Sequence, residues 1–246
     1  MIVLLDFDDT LSEYSRFNLR YIETMATLLT NEFGGSHDIW FSSTAKMALA
    51  IEADYSARFV GQPLNGYNRW REHANHLAAT MLFEWAGFLP PPDSGHAVRS
   101  LHETAVAAST ALFPGMAETV NTIHRAGIPL CMASGNDSRH INLAISRQEI
   151  ARCFSRLYGP DLVNCAKEGP EYYSLIASDQ QVEPRDFLVV DNDPIALEWA
   201  QASGMNVLHV HLLPAPPSRR DMFDLPTITD ANSIGQIILE LSRTDP

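Results

Sequence analysis

The strongest constraint on the fold sits within the first ten residues. Ile2-Val3-Leu4-Leu5 is an unbroken apolar run that stops on an acid, Asp6, and continues as Phe7-Asp8-Asp9-Thr10. A strand with one wet face alternates apolar and polar residues, so a run that is apolar throughout needs cover on both faces. That places it inside a parallel sheet. Parallel neighbours cannot be joined by tight hairpins and need long crossovers, usually helical. The second half of the chain supplies them. Strands are predicted at 128–133, 154–158, 187–190 and 206–210. They alternate with helices at 117–125, 137–147, 171–178 and 195–203, and a last helix is predicted at 233–241. Gly127 is a stop signal for the first of these helices. The alternation defines an α/β chain.

Residues between the first strand and Phe113-Pro114-Gly115 have a different texture. Leu19, Ile22, Met25, Ala26 and Leu29 fall at helical spacing, and 47–59, 67–85 and 97–112 also read as helices. Gly34-Gly35, Gly61-Gln62-Pro63 and Pro90-Pro91-Pro92-Asp93 separate them. The sequence therefore predicts a parallel-sheet core from 1–11 and 111–246, split by an all-helical insert at 12–110. Pro214-Ala215-Pro216-Pro217 reads as a rigid surface connection.

Charge and cysteine content narrow the function classes. The chain has 246 residues, 17 Lys plus Arg against 30 Asp plus Glu, and a net charge of −13. Nucleic acid and anionic membrane surfaces repel such a chain. A small anionic substrate is still admissible, because a bound metal reverses the field inside a pocket. Cys131, Cys153 and Cys165 are odd in number and widely spaced, which suits buried reduced thiols and not a disulfide framework. No apolar stretch approaches a membrane span, and a cytoplasmic location is expected.

Four clusters carry chemistry. Asp6 and Asp8 would share one side of an extended chain, where two carboxylates either raise one another's pKa or hold a cation between them. Magnesium, a hard ion that takes oxygen ligands, fits. Ser134-Gly135-Asn136 ends a predicted strand next to a helix start, a seat for phosphate; read singly, a Ser-Gly pair there is only a turn. Lys167, one of two lysines, precedes Gly169-Pro170 and could neutralise both a phosphate and a nucleophile. Asp191-Asn192-Asp193 ends another apolar run with oxygen ligands, or simply caps the following helix.

In this order the four clusters resemble the motifs of the haloacid dehalogenase-like superfamily. Asp6-Phe7-Asp8-Asp9-Thr10-Leu11 is similar to its DxDxT motif, Ser134 to its second motif, Lys167 with Pro170 and Tyr173 to its third, and Asp191-Asn192 to its fourth. The resemblance implies a Rossmann-like core with a helical C1-type cap. It also implies a phosphatase acting on a small phosphomonoester through an aspartyl-phosphate. Asp6 would be the nucleophile, Asp8 the acid and base, and Lys167 the charge stabiliser. Thr10 would help hold Asp8, and Thr10, Ser134, Gly135 and Asn136 would form the substrate-binding set. Magnesium would be held by Asp6, Asp8 and a residue of the fourth motif. There the sequence departs from the family pattern: counting back from Gly204, Asn192 stands where an Asp is usual, with Asp191 and Asp193 beside it, and Ala196 replaces a later acid.

Other readings stay open at this stage. A phosphomutase or phosphotransferase keeps all four motifs. A dehalogenase or a phosphonate hydrolase would not need the acid at Asp8, and the latter would have only Lys46 as a cap lysine. A binding protein that kept the fold would tolerate Asn192. Arg16, Arg58, Arg69, Trp70, Arg71 and His73 are possible substrate contacts, and the pairs His73/His76 and His209/His211 lack further ligands. Oligomeric state is not encoded in any of these features.

Overall fold

The computed structural model describes residues 1–213 and 227–244. The connection at 214–217 lies outside the described residues. Six strands form one sheet in which every pairing is parallel: β1 (Ile2–Leu5), β2 (Leu130–Ala133), β3 (Phe154–Tyr158), β4 (Phe187–Asp191), β5 (Asn206–Val210) and β6 (Thr227–Ile228), in the order β3-β2-β1-β4-β5-β6. The apolar run thus takes the central place that its composition requires, with β2 on one side and β4 on the other. The strand order reverses at β1, and in an open α/β sheet the crevice beyond the strand ends at such a reversal is where ligands bind.

Alternation along β1 sorts the core into two layers. Val3 and Leu5 join Leu130, Met132, Leu188 and Val190 in one buried cluster with Met116, Val120, Ile141 and Ile234. These belong to α5 (Met116–Arg125), α6 (Ser138–Ile145) and α10 (Ala231–Thr244). Leu4, Cys131 and Val189 point to the other face and pack with Tyr172, Ile176, Leu197 and Ala200. Those side chains come from α8 (Pro170–Gln180) and α9 (Pro194–Ala202), while α7 (Pro160–Val163) is a single turn after β3.

Four helices lie between β1 and α5: α1 (Tyr14–Phe33), α2 (His37–Phe59), α3 (Tyr67–Ala86) and α4 (Ser94–Ser109). The second is ten residues longer at its start than the sequence pattern indicates. Ser36 caps it by accepting from Ile39 N at 3.3 Å, and Trp40, fully buried, anchors the first turns. The Trp40 ring stacks on Phe88 at 5.2 Å, meets the edge of Phe83 at 5.5 Å, and donates its indole N–H to Gly34 O at 2.7 Å. The one-turn α7 and the two-residue β6 are too short to leave a periodic signal. No helix among the described residues is long and apolar enough to cross a membrane. The three cysteines are free and buried.

The helical layer meets the core around His140. Its ring lies 5.5 Å from Phe17 of α1 and 6.1 Å from His102 of α4, whose Nδ1 is 2.8 Å from the Tyr21 hydroxyl. Enclosure, reinforced by His102, pushes the His140 imidazole down to about 3, and burial also lowers His102. The unfolded chain takes up these protons from near pH 6.5 downward while the folded chain resists them. Their contribution is therefore complete above that pH and is lost progressively as pH falls towards 3. Stability measured by denaturant titration should fall by about 1–2 kcal/mol between pH 7 and pH 5, and His140→Gln should remove most of that slope. An equally steep slope in the variant would place its origin elsewhere.

Candidate active site

The sheet register builds the site. Leu5 pairs with Met132 on one side and Val190 on the other, so Asp6 emerges between Ala133 and Asp191. The Asp6 N–H continues the ladder to Val190 O at 3.0 Å. Lys167, buried, reaches into this gap. Its ammonium donates to Asp6 Oδ1 at 2.7 Å, Asp191 Oδ2 at 2.8 Å and Ala133 O at 2.9 Å, which uses all three of its protons. The Lys167 charge faces two carboxylates here. Burial and Asp191 push Asp6 up to about 8 against the pull of Lys167, and Lys167 itself is held well above its usual value by Asp191 and Asp6 despite its burial.

Asp8 lies one pleat beyond Asp6 and accepts from Asn136 Nδ2 at 2.6 Å. Burial raises it to about 6 although the Asn136 hydrogen bond works the other way. Asp9 adopts φ 55° and reverses the chain: its N–H bonds Ser12 O at 2.7 Å, and its Oδ1 accepts the first free N–H of α1, from Tyr14, at 2.9 Å. Ser134 ends β2. Its hydroxyl accepts the Asn136 N–H at 3.0 Å, so its own proton remains to be donated. Gly135 is exposed at the tip of that loop.

The fourth cluster divides its labour. Both Asp191 oxygens are committed, Oδ2 to Lys167 and Oδ1 to Asp193 N at 2.9 Å. Asp193 is the cap of α9, accepting from Ile195 N at 3.0 Å. Asn192 and Thr10 bond reciprocally: the Thr10 hydroxyl accepts the Asn192 N–H at 3.0 Å and gives its proton to Asn192 Oδ1, also at 3.0 Å. The Thr10 hydroxyl thus partners Asn192, where the sequence suggests Asp8. The Thr10 side chain is fully buried, and it fixes Asn192. His209, partnered by Thr227, supports the same loop from below through Asn192 O at 3.2 Å.

Several supports were not visible as motifs. The Tyr172 hydroxyl lies 3.0 Å from both Ser134 O and Tyr158 O and ties the serine loop to β3. Asp161 holds Ser138 N at 2.7 Å and Ser138 Oγ at 2.5 Å. Arg71 of α3 bridges Asp137 at 3.3 Å and Asp161 at 4.0 Å. Leu64 O takes the Ala166 N–H at 2.9 Å and Asn65 bridges Cys165, so the α2–α3 loop is laced to the segment that carries Lys167. Of the other candidate contacts, Arg16 pairs with Glu13, and Arg58 donates to Pro63 O and Asn65 O. Trp70 donates to Asp54 at 2.6 Å.

The oxygen donors here are of the kind a hard cation takes: the Asp6 carboxylate, the Asn192 amide oxygen, which has accepted one proton of two possible, and Asp8.

The profile of the haloacid dehalogenase-like hydrolases matches residues 1–204. The chain belongs to that family. A (DL)-glycerol-3-phosphatase 1 of Arabidopsis thaliana is 34% identical over 119 residues, 45% of this chain and 37% of the relative. A phosphoglycolate phosphatase of Salmonella typhimurium is 30% identical over 95 residues, 39% of this chain and 38% of the relative. The matches thus span less than two fifths of either relative. Among solved structures, YfnB of Bacillus subtilis, described as a HAD-hydrolase bound to magnesium, superposes with TM-score 0.65 at 12% identity, over 96% of this chain and 97% of its own. At that identity the likeness speaks for the fold.

In this haloacid dehalogenase-like hydrolase the serine loop passes hard against Gly159. A Cβ there would collide with Ser138 N and Asn136 O, whereas one on Gly135 meets nothing within 4 Å. Gly159→Ala should cost about 2–3 kcal/mol in urea unfolding, while Gly135→Ala should stay within about 0.5 kcal/mol. Equal effects would mean that the loop has room to yield.

Proposed function

We propose that this hydrolase is a magnesium-dependent phosphatase of small phosphomonoesters, with Asp6 as covalent nucleophile. The observation that carries the reading is Asp8, a second carboxylate one pleat beyond Asp6 and held by Asn136 at 2.6 Å. Displacement of halide needs a nucleophile alone, whereas release of an alcohol from phosphate also needs a proton donor at the leaving oxygen.

Asp6 Oδ2, unencumbered, attacks phosphorus as the bond to the ester oxygen breaks. Asp8 gives its proton to that oxygen. The resulting Asp8 carboxylate then takes a proton from water, which attacks phosphorus and releases Asp6. Lys167, locked on Asp6 and Asp191, fixes the attacking carboxylate and offsets charge on the transferring group. The Ser134 hydroxyl donates to a phosphate oxygen, and the loop at Gly135 and Asn136 leaves room for it. Asp6, the Asp8 carbonyl and Asn192 would hold magnesium, which supplies charge neutralisation at the phosphate when bound. Asp191 serves as the lysine's counter-ion. Residues 12–110 form the cap, and closure over the core 1–11 and 111–246 excludes water.

Two measurements test this. Asp6→Asn should lower turnover of an aryl phosphate roughly a thousandfold or more without unfolding the protein; retained turnover would remove Asp6 from its role. Asn192→Asp should keep activity and lower the magnesium concentration for half-maximal rate, and Asn192→Ala should raise it. An unchanged magnesium requirement in Asn192→Ala would pass the ligand role to a neighbour.

A further inference from the structure

We propose that a cleft at the seam between the helical layer and the core binds a diphosphate anion and clamps the two parts together. The cleft holds about 560 Å³, room for a ligand of nucleotide size. Its lining includes Arg58, Gly66, Arg69, Trp70 and His73 from the helical layer and Asn164 from the core. It shares no residue with Asp6, Asp8, Ser134 or Lys167, so it stands apart from the phosphatase reading. Charge singles it out. The chain carries 30 acids against 17 Lys plus Arg, yet two guanidiniums and an imidazole line this cleft and no carboxylate does among the described residues. Neither Arg58 nor Arg69 has an ion-pair partner among those residues, in contrast to Arg16, Arg71, Arg139 and Arg156.

The lining is preformed. Arg58 donates to Pro63 O at 3.0 Å and Asn65 O at 3.1 Å and lies over the Phe59 ring at 4.6 Å. These contacts orient the guanidinium without neutralising it, and the rest of its fork remains to donate. Arg69 and His73 stand one turn apart on α3, on the same face as Gly66 and Trp70. Trp70 is wedged between Tyr55 at 5.2 Å, Phe59 at 5.7 Å and Tyr67 at 5.3 Å, with its indole N–H given to Asp54. Asn164 accepts the Asn68 N–H on Oδ1 at 3.0 Å, which leaves its amide N–H groups as donors. Donors thus converge from α2, α3 and the core. That arrangement suits tetrahedral phosphate groups, and two separate guanidiniums call for two of them. The clamp follows from the backbone beneath. Gly66 N–H donates to Asn164 O at 3.2 Å and Ala166 N–H to Leu64 O at 2.9 Å, a short ribbon that ends one residue before Lys167. An anion held by Arg58 and Arg69 on one side and by Asn164 on the other spans this ribbon, and it gains the Asn164 contact only when the two parts are docked.

Calorimetric titration of the whole protein in EDTA tests the site, with inorganic pyrophosphate, ADP and adenosine as probes. Both anions should bind and adenosine should not; ADP binding more tightly than pyrophosphate assigns the diphosphate to a nucleotide, and equal binding assigns it to the free anion. Arg69 is exposed, so Arg69→Gln and Arg69→Glu should fold as the parent does, which circular dichroism checks. The first should weaken binding about tenfold, and the second should weaken it further, while Ser134→Ala should leave it unchanged. Adenosine binding as well as ADP, no binding of either anion, or affinity untouched by Arg69→Glu would overturn the site. Affinity lost in Ser134→Ala would put the anion in the candidate active site and overturn it equally. Hydrogen exchange reads the clamp: saturating pyrophosphate should slow exchange at the Gly66 and Ala166 amides several-fold relative to the rest of α3. Unchanged exchange at both amides in the bound protein would overturn the clamp.

Discussion

Everything in the catalytic half of this molecule is organised around one ammonium group. Lys167 is buried, and removing its charge would leave Asp6 and Asp191 as neighbouring carboxylates without a counter-ion. An uncompensated buried charge costs several kcal/mol, so the lysine is a structural requirement before it is a chemical one. Its third bond, to Ala133 O, extends the tie to β2. One side chain therefore fixes the ends of β2, β1 and β4, the three central strands, at the edge where the proposed nucleophile sits.

The same lysine explains why the helical layer matters to the core. Its segment is laced to the α2–α3 loop by the Leu64–Ala166 and Asn65–Cys165 contacts, and Tyr55 reaches Glu168 immediately beside it. Arg71 adds a second tie, onto the turn that follows the serine loop. The helical layer and the core thus share backbone hydrogen bonds next to the segment that carries Lys167. The ties end beside the lysine that holds Asp6 and beside Asn136, whose amide holds Asp8.

Much of this was legible in the sequence, for a definite reason. The strand and its acids are local patterns, and a run such as Ile2–Leu5 has one stable destination. The same holds for Leu188-Val189-Val190-Asp191, and for Ser134 at the end of β2. What stayed hidden depends on pairing across the fold. Thr10 bonds a residue 182 positions away, and nothing in DxDxT distinguishes that partner from Asp8. The early start of α2 rests on Trp40 finding Phe83 and Phe88, both more than forty residues later. Tyr172 and Gly159 serve the serine loop from α8 and the end of β3, positions that read as ordinary core and turn.

The central position of β1 also has a consequence for biosynthesis. Ile2–Leu5 is made before both of its neighbours: β2 follows some 125 residues later and β4 some 180 residues later. At ordinary translation rates of about 5–20 residues per second, the strand waits roughly 10–40 s for its second partner. During that interval the four-helix layer can already have collapsed on its own Trp40 cluster, leaving an apolar β-prone segment tethered and unpaired. All four of its residues are apolar, so the strand that leads to the proposed nucleophile spends that interval as uncovered apolar chain.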